Sequence, residues 1–79
     1  MKNNFAKNLR KIRKAQKLSR EQLAKKARIG ASTIYGYESG INEPTLTFLI
    51  ILANTLGVSL DELVCAEERR EKKKPYIRA

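Results

Sequence analysis

Between Leu18 and Gly40 the chain carries two short helical patterns joined by a single turn, LSREQLAKKA and then RIGASTIYGYESG. With almost no spare residues between them, the two helices must pack on each other, and such a unit presents one helix outward while the other fixes its angle. Both ends are signalled locally. Ser19 with Gln22 three residues later forms a capping box, and Leu23, Ala24 and Ala27 face inward behind it. The second helix opens near Gly30–Ala31 and ends at Ser39, where Gly40 is free to adopt the left-handed conformation that closes it. Ile34 and Tyr37 fall at helical spacing on its inner face and are core residues.

The flanking segments are helical as well. A first helix starts at Asn3 or Asn4 as cap and runs to about Gln16, with Phe5, Leu9 and Ile12 repeating on one face. Asn42-Glu43-Pro44 is an extended linker, because the residue before proline avoids the helical region. Thr45 caps a fourth helix, FLIILANTL, whose nearly continuous apolar surface predicts a central position buried on several sides. Gly57 stops it, with Val58 folding back as the apolar contact. Ser59 and Glu62 form a second capping box that opens a fifth helix through Leu60, Leu63 and Val64. No strand alternation and no internal repeat competes, so the expected architecture is all-α with five helices.

Composition removes most enzymatic chemistry. The chain has no histidine and one cysteine, Cys65, so thiolate-rich metal sites, an internal disulfide and the commonest general base are all absent. Neither a metal nor a cofactor is expected, and the chain is read as a non-enzyme. Cys65 reads as a small apolar residue late in the fifth helix. No apolar run approaches the roughly 20 residues needed to span a bilayer, and no signal peptide is visible. Seventy-nine residues predict one small domain, residues 1–65, with no room for a separate sensor, followed by a basic tail over 66–79. That tail has two readings. Glu68 and Lys72 at i, i+4 could extend the fifth helix until Pro75 ends it, or the segment could be a disordered basic end.

The net charge of +9 is unevenly placed. Residues 1–28 hold eleven Lys or Arg against Glu21 alone, giving +10. Residues 29–65 carry four acidic side chains and no basic one, giving −4, and residues 66–79 add +3. A basic domain calls for an anionic partner, of which nucleic acid is the commonest, although a solvated helix surface would show a similar excess.

An ordered set of separated features carries a family resemblance: Leu9-Arg10, Arg13, Leu18-Ser19, Leu23-Ala24, Ile34, Tyr37-Glu38-x-Gly40, Pro44 and Leu56-Gly57-Val58-Ser59-Leu60-Asp61-Glu62-Leu63. Over residues 5–65 the sequence resembles the phage-repressor (lambda-repressor-like, XRE) helix-turn-helix family. The resemblance implies a DNA-binding transcriptional regulator, a repressor, whose helix 2 crosses the sugar–phosphate backbone while helix 3, about residues 31–39, enters the major groove. It also implies a homodimer with two such helices about 34 Å apart on a pseudo-palindromic operator, a cytoplasmic protein at the nucleoid, and dimerisation near Leu63 and Val64. Where the family often has glycine, this chain has Lys17 and Arg28, which would each cost on the order of 1 kcal/mol in left-handed geometry.

Position within the motif assigns Ala31, Ser32, Thr33, Tyr35 and Gly36 to base reading. None is basic, so hydroxyl and apolar contacts with some reliance on DNA shape are expected. Tyr35 could equally be an ordinary exposed tyrosine. Arg20, Gln22, Arg28, Ser39 and Asn42 are assigned to phosphates, which set register rather than sequence. Lys7, Arg10, Lys11, Lys14 and Lys17 supply long-range attraction. Arg13 and Glu38 occupy positions that pair in this family, which would tie the scaffold to the reading helix and leave the guanidinium partly facing a phosphate. The rival reading is a module partnered by a second small protein, such as an antitoxin, which can use the same fold.

Overall fold

The computed structural model describes residues 4–65. Five helices follow one another: α1 (Phe5–Ala15), α2 (Arg20–Ala27), α3 (Ala31–Ser39), α4 (Leu46–Leu56) and α5 (Leu60–Val64). The proposed tail over residues 66–79, and its rival readings, lie outside the described residues.

Capping fixes most of the boundaries. Ser19 Oγ accepts the Gln22 N–H at 3.0 Å while Gln22 Oε1 accepts the Ser19 N–H at 2.7 Å. The same reciprocal pair joins Ser59 and Glu62 at 3.1 and 2.8 Å. Each box satisfies two amides that have no partner inside the helix. Thr45 Oγ1 accepts from Phe48 N–H at the start of α4. Asn4 does precede α1, but its side chain makes no capping bond, and the helix ends at Ala15, one residue short of the expectation. At the other ends Gly40 (φ 82°) and Gly57 (φ 70°) take the left-handed conformation. So do Lys17 and Arg28, each at φ 60°, at the two positions where glycine would be free of strain.

The core joins all five helices. Leu9, Leu23, Ile34, Leu52 and Leu63 are fully buried, with Phe5, Ala24, Ala27, Ile29, Tyr37, Ala53 and Leu56 around them. The Phe5 and Tyr37 rings meet edge-on with centroids 5.6 Å apart, which fastens α1 to α3. Two amides close the layout. Asn8, buried on α1, donates through Nδ2 to the carbonyls of Leu63 (3.2 Å) and Cys65 (2.7 Å), beside an Asn4 N–H to Val64 carbonyl bond of 3.2 Å. Gln16 Nε2 donates to the Leu56 carbonyl at 2.7 Å, satisfying the C-terminus of α4.

α4 corrects the sequence reading. It is not wrapped on several sides: only Leu52, Ala53 and Leu56 are buried, while Leu46, Phe48 and Ile50 are exposed. The helix packs on α2 and α5, and a largely apolar helix at the edge of so small a core has more apolar surface than neighbours to cover it. Leu63 is corrected in the opposite sense. It is sealed in the core, so it has no surface to offer a second subunit, and Val64 is half-buried.

Candidate nucleic-acid interface

The turn between α2 and α3 is built from backbone. Arg28, the C-cap of α2, sits at φ 60° and ψ 41°, and the Ile29 N–H returns to the Ala24 carbonyl at 3.0 Å. Ile29 is thereby drawn into the core, and Gly30 opens α3, its carbonyl accepting from Thr33 and Ile34. The inner face of α3 is Ile34 and Tyr37; burial holds the Tyr37 phenol above its ordinary pKa, because the phenolate would lose hydration.

The outward face carries most of the residues expected to read bases. Ala31 and Ser32 are exposed, Thr33 is half-buried and Tyr35 is 54% exposed. Gly36 is the exception. It is buried on the side toward the loop after α3, where a Cβ would run into the Asn42 side chain. Its carbonyl accepts the N–H groups of Ile41 (3.0 Å) and Asn42 (3.1 Å), so Gly36 positions the loop and has no outward surface for a base. The missing side chain is what lets Asn42 lie against the helix.

Glu38 is the polar centre of this region. Its carboxylate, with the side chain 2% exposed, receives Arg13 Nε at 2.6 Å, Arg13 Nη2 at 3.0 Å and Arg20 Nε at 3.2 Å. Arg13 Nη1 donates to the Leu18 carbonyl at 2.7 Å. The Arg13–Glu38 pairing is therefore present as expected, but the guanidinium is enclosed, at 7% side-chain exposure, and does not face outward toward a phosphate. One carboxylate ties α1, α2 and α3 together. Charged pairs with full hydrogen bonding tolerate such burial; a lone charge would not.

Arg20 is where the geometry adds most to the sequence. Its guanidinium also lies over the Tyr35 ring, 5.2 Å from the centroid. The only hint available beforehand is that Tyr35 and Glu38 are three apart on α3 and so share a face. Among the other residues assigned to phosphates, Arg28, Gln22, Ser39 and Asn42 are all exposed. Gln22 Oε1 is engaged in the α2 cap, and Ser39 Oγ donates to the Gly36 carbonyl at 3.3 Å. Arg20, Arg28 and Gln22 thus line the start and end of α2, and Ser39 and Asn42 follow α3. Among the described residues no cluster of His, Cys, Asp and Glu could hold a metal ion, and no helix is long and apolar enough to cross a membrane.

The helix-turn-helix family pattern matches residues 9–63, most of the chain. The chain belongs to the phage-repressor-like helix-turn-helix family. Among the relatives of this helix-turn-helix chain is the "uncharacterized HTH-type transcriptional regulator YobD" of Bacillus subtilis (strain 168), 43% identical over 60 residues, which are 76% of this chain and 54% of YobD. The chain thus spans about half the length of that relative. Among solved structures it resembles the restriction-modification controller protein C.AhdI from Aeromonas hydrophila, at 33% identity and a TM-score of 0.73 over 76% of this chain and 91% of C.AhdI. It also resembles SinR, a master regulator for biofilm formation solved in complex with DNA, at 27% identity and a TM-score of 0.72 over 75% and 95% of the two chains.

Proposed function

We propose that this protein is a sequence-specific regulator of transcription, a repressor, that binds double-stranded DNA with α3 in the major groove. The observation that carries the reading is the way α3 is held. Glu38 is locked to α1 and α2 through Arg13 and Arg20 while Ala31, Ser32 and Tyr35 are exposed to solvent. A helix anchored through its neighbours and exposed along its outward face is what groove insertion requires. Likeness to a regulator solved with DNA supports the same reading.

In this reading Ala31, Ser32, Thr33 and Tyr35 meet base edges, and Arg28, Gln22, Ser39 and Asn42 meet phosphates. Two copies bind a pseudo-palindrome as a homodimer. The exposed Leu46 and Ile50, one turn apart on α4, supply apolar surface for the contact between them. The site of action is the cytoplasm, at the nucleoid.

Selection from a random duplex DNA library at near-physiological salt tests this directly. Enrichment of inverted repeats with half-sites about 10 base pairs apart supports a dimeric operator reader. Binding that enriches nothing and vanishes as salt rises reflects the electrostatic term alone, and would overturn sequence-specific regulation.

A further inference from the structure

α3 has no basic residue of its own, yet a guanidinium lies along its outward face. We infer that Arg20, although it belongs to α2, is a base-reading residue, and that it recognises the O6 and N7 acceptor pair of a guanine in the major groove. The inference rests on the DNA-binding reading above and adds a reader that neither the motif position nor the composition of α3 supplies.

Three observations carry it. First, the guanidinium is held from two directions. Its Nε donates to Glu38 Oε1 at 3.2 Å and its Cζ lies over the Tyr35 ring, 5.2 Å from the centroid. A free arginine loses about 2 kcal/mol of rotamer entropy when it is fixed; here much of that ordering is in place before any DNA arrives. Second, Nε is engaged, which leaves Nη1 and Nη2, whose outer N–H groups form a parallel pair. That fork fits two acceptors side by side, and guanine is the base that offers O6 and N7 together. The side chain is 40% exposed, so it is not sealed by its contacts with α3.

Third, the surroundings favour a base over a phosphate. Tyr35 stands on the outward face of α3, one turn after Ser32, so a cation stacked on it travels with the reading helix and not with the flank of α2. Glu38 also neutralises part of the charge: Arg13, Arg20 and Glu38 together sum to +1. A shared carboxylate weakens the long-range pull on phosphate more than it weakens two directional N–H donors. Tyr35 then acts through Arg20 and positions it.

The experiment is library selection with the wild-type protein, Arg20→Ala and Tyr35→Ala, with folding of each checked by circular dichroism. Glu38 keeps Arg13 in both variants, so the scaffold is retained. The expected result is a wild-type motif with one guanine per half-site whose preference disappears in Arg20→Ala, other positions being unchanged, and weakens in Tyr35→Ala, where the base that Tyr35 itself meets changes as well. Replacing that guanine by 7-deazaguanine should reduce wild-type binding about tenfold and leave Arg20→Ala unaffected. If Arg20→Ala selects the same motif, binds all sequences uniformly less well and has a salt slope smaller by about 1, Arg20 contacts phosphate and the inference is overturned. A wild-type protein that selects no motif would overturn the DNA reading itself, and this inference with it.

Discussion

Arg13 and Glu38 meet as a two-pronged ion pair, Nε to Oε2 at 2.6 Å and Nη2 to Oε1 at 3.0 Å, with both side chains nearly closed off from solvent. The two partners are not equivalent. Without Arg13, Glu38 still has Arg20; without Glu38, Arg13 keeps, among the described residues, the Leu18 carbonyl alone. Glu38→Ala should therefore cost about 3–5 kcal/mol, as expected for an enclosed charge that loses its counter-ion. Arg13→Met should cost less, and the double variant Arg13→Met/Glu38→Ala should lose less than the sum of the two single changes. Urea unfolding of the four proteins in a double-mutant cycle gives the coupling, and additive losses would sink this account.

Lys17 and Arg28 are the two non-glycine residues with positive φ among those described. Glycine at either position relieves about 1–2 kcal/mol of left-handed strain and returns part of it as unfolded-state freedom. Each change should stabilise by roughly 0.5–1 kcal/mol, a rise in Tm of several degrees for a domain of this size. DNA binding separates the two sites. Arg28→Gly should lower the salt slope by about 1, while Lys17→Gly should leave it close to wild type.

Gly36→Ala is expected to split stability from binding. The methyl would displace Asn42, an exposed side chain with room to rotate, and alanine favours the helix by roughly 0.5–1 kcal/mol. The domain should remain folded at unchanged or slightly higher Tm. Its DNA affinity should fall to that of Asn42→Ala, and the double variant should be no weaker than either single one. Fully additive losses in affinity would show that Gly36 does not act through Asn42.

Tyr37 gives the fold a dependence on alkaline pH. Its phenol has a raised pKa when folded, through burial, so the folded state retains the proton more strongly than the unfolded chain does. The associated stability is fully present below the unfolded value near 10 and is lost as pH rises through the higher folded value. Tm measured from pH 7 to 11 should therefore fall more steeply for wild type than for Tyr37→Phe, the lysines being common to both. Parallel curves would rule this contribution out.

Ile50→Glu tests the proposed contact between copies. Ile50 is 42% exposed, so a carboxylate there should leave the fold intact while placing two like charges across the dimer contact. Sedimentation with an inverted-repeat duplex should then show one copy bound, where the wild type shows two. Two bound copies of the variant would move the contact elsewhere.

Much of this was legible in the chain because capping and periodicity are local. Ser19–Gln22, Ser59–Glu62, Thr45, Gly40 and Gly57 all act where the sequence places them. So do the inward faces Phe5–Leu9 and Leu23–Ala24–Ala27. What escaped depends on which elements are near. The composition of α4 cannot say how many neighbours a five-helix core provides, so its apolar surface predicts burial although Leu46 and Ile50 are open. Gly36 shares the outer face of α3 in a helical projection, but the loop carrying Asn42 folds back over it. Arg20 has an ordinary position for a phosphate contact; only the approach of α2 to α3 turns it toward Glu38 and Tyr35.

The Asn8 clasp joins residues 55 and 57 positions apart, the first helix to the last. During synthesis α1, the most basic of the five helices, must wait for Leu63 and Cys65 before its buried amide has any partner. The clasp therefore closes only after α3 and α4 have been made. The same closure works in reverse. A single proteolytic cut after Val58 would sever α5 from α4 and leave a buried amide of the first helix dependent on a detached segment.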